Sequence, residues 1–151
     1  MKMNRIRPIA ICVFRNDDRI FVFEGYDSVK DETFYRPLGG GIEFGEHSRD
    51  AIVREVREEI GQGIVNLRYL GAVENVFTCN GKRGHEIVLV YEGEFADAAM
   101  YARESLEGME DSGERFKALW KPMSGFEQGQ WPLYPDGLLE LLMQAGTTDK
   151  H

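Results

Sequence analysis

The chain has 151 residues and a formal net charge of −8. This length fits one globular unit, so we expect a single domain over residues 1–151. The acidic balance argues against binding to extended nucleic acid or to an anionic membrane surface, because both prefer a basic protein face. No segment approaches the roughly 18 apolar residues that a membrane-spanning helix needs.

The N-terminus and the cysteines indicate the compartment. Residues 1–5 lead into a short alternating run rather than a long apolar one, so we expect no signal peptide. Cys12 and Cys79 are far apart and form no metal-binding motif. We therefore expect two reduced thiols, in or near the core of a cytoplasmic protein.

The first sixty residues alternate between strand and turn signals before one helix. Two apolar runs, 6–14 and 19–26, flank the turn residues Asn16-Asp17-Asp18 and predict a hairpin. A short strand is expected at 33–36, then a tight glycine turn at 39–41 and an extended piece at 42–45. A helix is expected to open at His47 or Ser48 and to end at Gly61.

The second half of the chain predicts a longer hairpin and a final helix. Residues 64–78 and 86–96 read as its two strands, joined across residues 80–84. Residues 97–112 are polar and acidic and are expected to form a loop with one helical turn at 98–103. A last strand is expected at 116–121, and a helix between Gly137 and Gly146. Hairpins separated by helices predict a mixed sheet sandwiched by helices.

Three carboxylates in the first helix carry the main chemical signal. Glu55, Glu58 and Glu59 stand at positions i, i+3 and i+4, which places them on one side of a helix. Their repulsion costs roughly 0.2–0.5 kcal/mol per pair. One interpretation is a solvated acidic face paired with Arg54 and Arg57. The other interpretation is a divalent-cation site, because a cation removes the repulsion and supplies an electrophile, and the preceding glycine turn and the spacing of Glu46 favour it.

The spacing around these glutamates resembles the Nudix box, G-x5-E-x7-R-E-U-x-E-E-x-G-U, where U is apolar. The matching residues are Gly40, Glu46, Arg54, Glu55, Val56, Glu58, Glu59 and Gly61. Gln62 departs from the apolar position, and Leu38 replaces a frequent proline, but neither change touches a charged position. The resemblance implies an α/β fold, a Nudix-type α/β/α sandwich with a mixed sheet, the box helix and a C-terminal helix.

The resemblance also implies roles for individual residues. Glu55, Glu58 and Glu59 would hold Mg²⁺ or Mn²⁺ with the backbone carbonyl of Gly39, and Arg54 would orient a box glutamate. Glu46 is either plain surface acid or a support for the loop before the helix. The general base would be Glu55 or a glutamate of the acidic loop. The loop candidates are Glu104, Glu107, Glu110 and Glu114.

The activity implied is metal-dependent hydrolysis of the diphosphate bond in a nucleoside diphosphate linked to another moiety. Nucleoside triphosphates, ADP-ribose-like compounds and dinucleoside polyphosphates all stay open as substrates. The alternative is a nucleotide-binding or regulatory module with weak catalysis. The resemblance also allows a homodimer.

Two groups of side chains have both a structural and a binding interpretation. Arg36 is a candidate phosphate contact or an ordinary exposed arginine. Four aromatic residues could stack on a base, although their strand positions favour core packing. They are Tyr26, Phe34, Tyr35 and Phe77.

Overall fold

A computed structural model describes residues 4–148 of the chain. Its strands are β1 Arg7–Asn16, β2 Arg19–Asp27, β3 Glu32–Arg36, β4 Leu38–Gly41, β5 Ile64–Cys79, β6 Lys82–Phe95, β7 Ser105–Met109 and β8 Arg115–Pro122. Its α-helices are α1 Ser48–Ile60, α2 Met123–Glu127 and α3 Leu138–Thr148, with a 3₁₀ turn at Ala98–Ala102. Within the described part of the chain, no helix combines the length and hydropathy that crossing a membrane requires.

Strand β1 joins two half-sheets. The strand order is β5-β6-β1-β2-β8-β7, with β4 pairing on β1 and β3 pairing on β2. The pairing of β1 with β6 is parallel, from Arg7 opposite Glu86 to Phe14 opposite Gly93. The other strand pairs are antiparallel. We call β4, β5 and β6 the first half-sheet, and β2, β3, β7 and β8 the second half-sheet.

The core has two layers because successive side chains of β1 point to opposite faces. Ala10, Cys12 and Phe14 are buried on the face that packs against Ile52 and Val56 of α1. The alternate residues of β1 pack on the other face, against α2 and α3. The buried residues there include Ile9, Ile11, Val13, Phe126, Leu138 and Leu142. Helices therefore cover both faces of a mixed sheet, which confirms the predicted α/β/α sandwich.

The glycine segment before the helix differs from the prediction. Gly39–Gly41 form no tight turn, because they lie in β4 and pair with β1. A Cβ atom at Gly39 would collide with the backbone of Ala10, so only glycine permits this close approach. Residues 42–47 form a loop, and the prediction of an extended segment at Ile42–Gly45 was wrong.

The acidic segment near residue 100 is also more regular than predicted. The 3₁₀ turn at Ala98–Ala102 matches the expected helical turn, but β7 follows it where a loop was expected. The short helix α2 was not predicted. The expected stop at Gly146 was wrong, since α3 continues to Thr148. The turn between β5 and β6 is shorter than expected, because β6 already begins at Lys82.

Candidate active site

Helix α1 carries the predicted carboxylates along the edge next to β4. The helix follows His47, and Gly61 ends it with a φ of 69°. The N–H of Gly61 donates to the carbonyl of Arg57 at 2.9 Å. Because Ile52 and Val56 anchor one side of the helix in the core, the adjoining side faces the glycine strand.

Arg54 hydrogen-bonds several groups along this side of helix α1. Its Nε and Nη2 donate to the two carboxylate oxygens of Glu46 at 2.8 and 3.0 Å. Its Nη1 donates to Glu55 at 2.9 Å and to Glu58 at 3.3 Å. Nη2 also donates to the carbonyl of Gly41 at 3.0 Å. One guanidinium therefore ties two helix glutamates to the loop and to the end of β4.

Glu46 shapes the loop that leads into α1. Besides its paired contacts with Arg54, its Oε1 accepts the backbone N–H of Glu43 at 3.1 Å. The hydrogen bond from Arg54 lowers the pKa of the Glu46 carboxyl to about 2. Glu46 is thus held ionised and supports the loop, which was one of the two interpretations open from the sequence.

Glu55 is the buried member of the carboxylate set, with 6% of its surface exposed. A Cβ atom at Gly40 would lie 2.5 Å from its carboxyl carbon, so the absent side chain makes room for this carboxylate. Burial raises the pKa of Glu55, while the hydrogen bond from Arg54 opposes the rise. Glu55 is therefore an ionisable side chain enclosed between helix α1 and strand β4.

Glu59 lies within hydrogen-bond reach of the backbone of Gly39. Burial, and then the charge of Glu55, raise the pKa of Glu59 to about 8. The positive charge of Arg36 and the backbone of Gly39 act in the opposite direction. Its Oε1 is buried and has no hydrogen-bond partner among the described residues. A bound cation would stabilise the ionised form of a carboxyl group whose buried oxygen has no other partner.

The sequence analysis missed Asp111. Glu55, Glu58 and Asp111 each offer a carboxylate oxygen, and these oxygens lie within 4.8 Å of one another. Asp111 stands in the turn between β7 and β8, which passes close to α1. The run Glu110-Asp111-Ser112-Gly113 is a turn signal. This turn signal predicts a hairpin only if the residues on both sides of it are interpreted as strands.

None of the four loop glutamates proposed as bases is a member of the Glu55, Glu58 and Asp111 cluster. Glu107 pairs with Arg115 at 2.8 Å on the exposed side of the hairpin. Glu104 precedes β7 and is exposed, and Glu114 is also exposed. Glu110 lies 4.0 Å from Arg36, and its charge contributes to the raised pKa of Glu59. Glu110 is therefore the one of the four whose charge acts on the helix carboxylates.

A cleft of about 1040 Å³ opens between the two half-sheets. Arg36 and Glu110 line it and mark its border with the helix carboxylates. The prediction that the four aromatic residues pack in the core holds for Tyr35, which is buried, and is wrong for Tyr26, which is 54% exposed. Phe34 and Phe77 are half-buried in the walls of the cleft.

The fold and this edge together define an α/β/α protein with a glycine strand, a loop and a carboxylate-bearing helix. A family model described as the NUDIX domain matches residues 4–136, and the chain belongs to the NUDIX family. This confirms the resemblance carried by the box residues.

Curated relatives give a partial match. The NAD-capped RNA hydrolase NudC of Pseudomonas aeruginosa is 33% identical over 100 residues, which cover 66% of this chain and 33% of that protein. The Nudix hydrolase YvcI of Bacillus subtilis is 34% identical over 86 residues, which cover 57% of this chain and 49% of that protein. The chain thus spans about a third of the length of the NudC relative.

Solved structures share the fold over most of the chain. A NUDIX hydrolase from Nitrosomonas europaea superposes with a TM-score of 0.66 at 15% identity, covering 95% of this chain and 90% of that one. A structure described as an ADP compounds hydrolase gives a TM-score of 0.63 at 20% identity, covering 95% of this chain and 74% of that one. At these identities the likeness concerns the fold alone.

Proposed function

We propose that this protein is a pyrophosphohydrolase. It cleaves the diphosphate bond of a nucleoside diphosphate linked to another moiety, and it depends on Mg²⁺ or Mn²⁺. The observation that carries the proposal is the convergence of the Glu55, Glu58 and Asp111 carboxylates, two of which, Glu55 and Glu58, accept hydrogen bonds from Arg54. A solvated acidic helix face would need neither the buried Glu55 nor a guanidinium shared among the carboxylates of Glu46, Glu55 and Glu58.

The donor set fits a hard divalent cation. Carboxylate and backbone oxygens are the ligands that Mg²⁺ and Mn²⁺ prefer. We assign Glu55, Glu58, Glu59 and the carbonyl of Gly39 as ligands, with Asp111 as a further one. The buried Oε1 of Glu59 lacks a partner among the described residues, which supports its assignment. When bound, the cation supplies charge neutralisation and Lewis acidity toward phosphate oxygens.

The residues of the chain supply positioning and proton transfer. Arg54 fixes Glu55 and Glu58 through hydrogen bonds and shares its charge between them. Glu55 is our choice for the general base, because helix α1 and the hydrogen bond from Arg54 fix its position. A general base must lie within hydrogen-bond reach of the proton it accepts, so a fixed position favours this role.

The cleft favours a small nucleotide as substrate. It joins aromatic walls to the border residue Arg36, which suits a base at one end and phosphates at the other. The name of the NudC relative points to dinucleotides of the NAD type as one candidate group. The net charge of −8 favours such a small ligand over a long RNA chain.

A nucleotide panel tests the proposal. The purified protein is incubated with Mg²⁺ or Mn²⁺ and each of ADP-ribose, NADH, a dinucleoside polyphosphate and the nucleoside triphosphates. Products are separated by ion-exchange chromatography, and each reaction is repeated with excess EDTA. We expect cleavage at a diphosphate bond of at least one compound, and its loss with EDTA.

Two results would contradict the proposal. Cleavage that continues in excess EDTA would remove the metal requirement. Binding of nucleotides without cleavage of any compound would favour the alternative, a nucleotide-binding or regulatory module.

A further inference from the structure

Two buried polar residues line the cleft, Asp27 and Asn75, and the Asp27 carboxylate accepts hydrogen bonds from backbone N–H groups whereas Asn75 keeps an unpaired oxygen. Asn75 lies in β5, lines the cleft and is 5% exposed. Its Oδ1 is buried and has no hydrogen-bond partner within residues 4–148. Leaving a buried carbonyl oxygen unpaired destabilises a fold, so such an atom calls for an explanation. A donor group on a bound ligand supplies one.

The neighbour of Asn75 narrows the chemistry of that ligand. Glu86 stands directly opposite Asn75 on β6 and lines the same cleft. Its side chain is 12% exposed, and its carboxylate lies 4.0 Å from Arg7. An ionised carboxylate only accepts hydrogen bonds. Two adjacent acceptors therefore favour a ligand edge that carries N–H donors.

The walls of the cleft favour a flat ligand. Phe34 and Phe77 are half-buried and line it from opposite half-sheets. The ring of Phe34 lies 5.6 Å from that of Tyr134, which also lines the cleft. Aromatic faces of this kind stack on nucleobases with little regard to sequence. Selectivity must therefore come from the polar atoms.

The position of Asn75 suits the base end of a nucleotide. Going from β5 through β6 and β1 to β4 crosses three strand spacings, roughly 14 Å. The glycine strand β4 lies against the helix carboxylates, and Arg36 lines the cleft while its charge acts on Glu59. A base beside Asn75 thus leaves room for its phosphates to reach the carboxylates.

We infer that Asn75 is the base-selecting residue, and that the cleft takes a nucleobase whose exocyclic amine donates to Oδ1 of Asn75. The inference rests on the proposed function, because it assigns the base end of the same substrate. Adenine and cytosine carry such an amine where hypoxanthine and uracil carry a carbonyl oxygen, and guanine carries one where hypoxanthine carries hydrogen. At that position the amine-free bases offer Oδ1 no donor, and a site with a buried acceptor discriminates against such a ligand.

Equilibrium binding of nucleoside monophosphates tests the inference without any hydrolysis. Calorimetric titration compares AMP and GMP with IMP, and CMP with UMP, in metal-free buffer. We expect at least one amine-bearing nucleotide to bind tenfold or more tightly than its amine-free partner. Equal affinities within all three pairs, or no binding of any nucleotide, would overturn the inference even if the protein hydrolyses a nucleotide. A clear preference without hydrolysis would instead count against the proposed function alone.

Variants at residue 75 test the atom itself. Asn75→Leu removes the acceptor at similar volume and should reduce the preference to less than threefold. Asn75→Asp keeps an acceptor oxygen and should retain the direction of the preference. Glu74→Gln is the control: Glu74 neighbours Asn75 on the same strand, its side chain is 67% exposed and it does not line the cleft, so this variant should behave like the unmodified protein. A preference that survives in Asn75→Leu would assign base selection to another residue.

Discussion

Arg54 holds its carboxylate partners through geometry as well as charge. A planar guanidinium can meet Glu46 with two parallel hydrogen bonds and still donate to Glu55. A lysine ammonium at this position is a single point of charge on a flexible stem, so it cannot reproduce the fork. The substitution therefore separates the role of charge from the role of shape.

For Arg54→Lys we expect a fall in kcat of at least a hundredfold and a loss of about 1–3 kcal/mol of unfolding free energy. The physical reason is that Glu55 is left buried with a poorer donor. Steady-state kinetics and urea unfolding measure the two effects. Arg57→Lys, an exposed position on the same helix, is the control and should be nearly neutral. Full activity in Arg54→Lys would show that charge alone suffices.

Glu58→Gln tests a carboxylate that is accessible to solvent. The side chain is 46% exposed, so a nearly isosteric amide should not disturb the core. We expect most of the activity to disappear while the melting temperature without metal stays equal or rises slightly, because like-charge repulsion is relieved. Glu127→Gln, exposed on α2, is the control. Turnover at the unmodified rate would remove Glu58 from the metal ligands.

Some residues of the site are close together in the sequence and could be grouped from it, whereas others are brought together only by the fold. Glu46, Arg54 and the three helix glutamates share one loop and one helix, so fixed spacing in the sequence was enough to group them. Asp111 and Asn75 carry no such spacing, because other strands bring them to the site and the cleft. Their importance appears only through burial and distance.

At the level of elements, the β7–β8 hairpin decides whether the carboxylate cluster is complete. The pattern of β7, Ser-Leu-Glu-Gly-Met, has one half-buried apolar side chain and a glycine, and it resembles a loop. Pairing with β8 makes it a strand, because tertiary hydrogen bonds override weak propensity. By contrast, β1, β2 and α1 have strong periodicity and were predicted to within a few residues.

Asp111→Asn should weaken Mg²⁺ affinity at least tenfold, since one of three converging carboxylates loses its charge. Isothermal titration with Mg²⁺ measures this, alongside Gln replacements of the loop glutamates Glu104, Glu107, Glu110 and Glu114. Glu107→Gln is the closest control, because its partner Arg115 lies on the exposed side of the hairpin.

The same series decides the general base. If Glu55 is the base, no single loop glutamate should cost more than about tenfold in kcat, or ~1.4 kcal/mol of barrier. A loss of several orders of magnitude in one loop variant, with unchanged Mg²⁺ affinity, would transfer the role to that residue.

For the whole molecule, the raised pKa of Glu59 predicts how stability varies with pH. A carboxyl with a pKa of about 8 in the folded protein and roughly 4.3 in the unfolded chain binds its proton more tightly when folded. Its contribution is fully present below the lower value and is lost as pH rises through the upper one. Metal-free protein should therefore become less stable from pH 5 to pH 8.

Melting curves across that range measure the effect. Glu59→Gln cannot titrate, so its melting temperature should fall less with pH than that of the unmodified protein. Saturating Mg²⁺ should raise the melting temperature and flatten the pH dependence, because the cation favours the ionised carboxyl. Glu127→Gln should follow the unmodified protein. Identical slopes for Glu59→Gln and the unmodified protein would mean that this carboxyl is not protonated in the folded state.

The parallel pairing of β1 with β6 has a consequence for how the protein folds and unfolds. The two strands lie far apart in the chain, and the segment between them must close before β1 can join the two half-sheets. Asp111 reaches α1 only after a further hairpin has formed. We therefore expect the carboxylate cluster to assemble after the rate-limiting step. In stopped-flow experiments Mg²⁺ should slow unfolding and leave the folding rate unchanged. The cation would then lengthen the lifetime of the native state without speeding its formation.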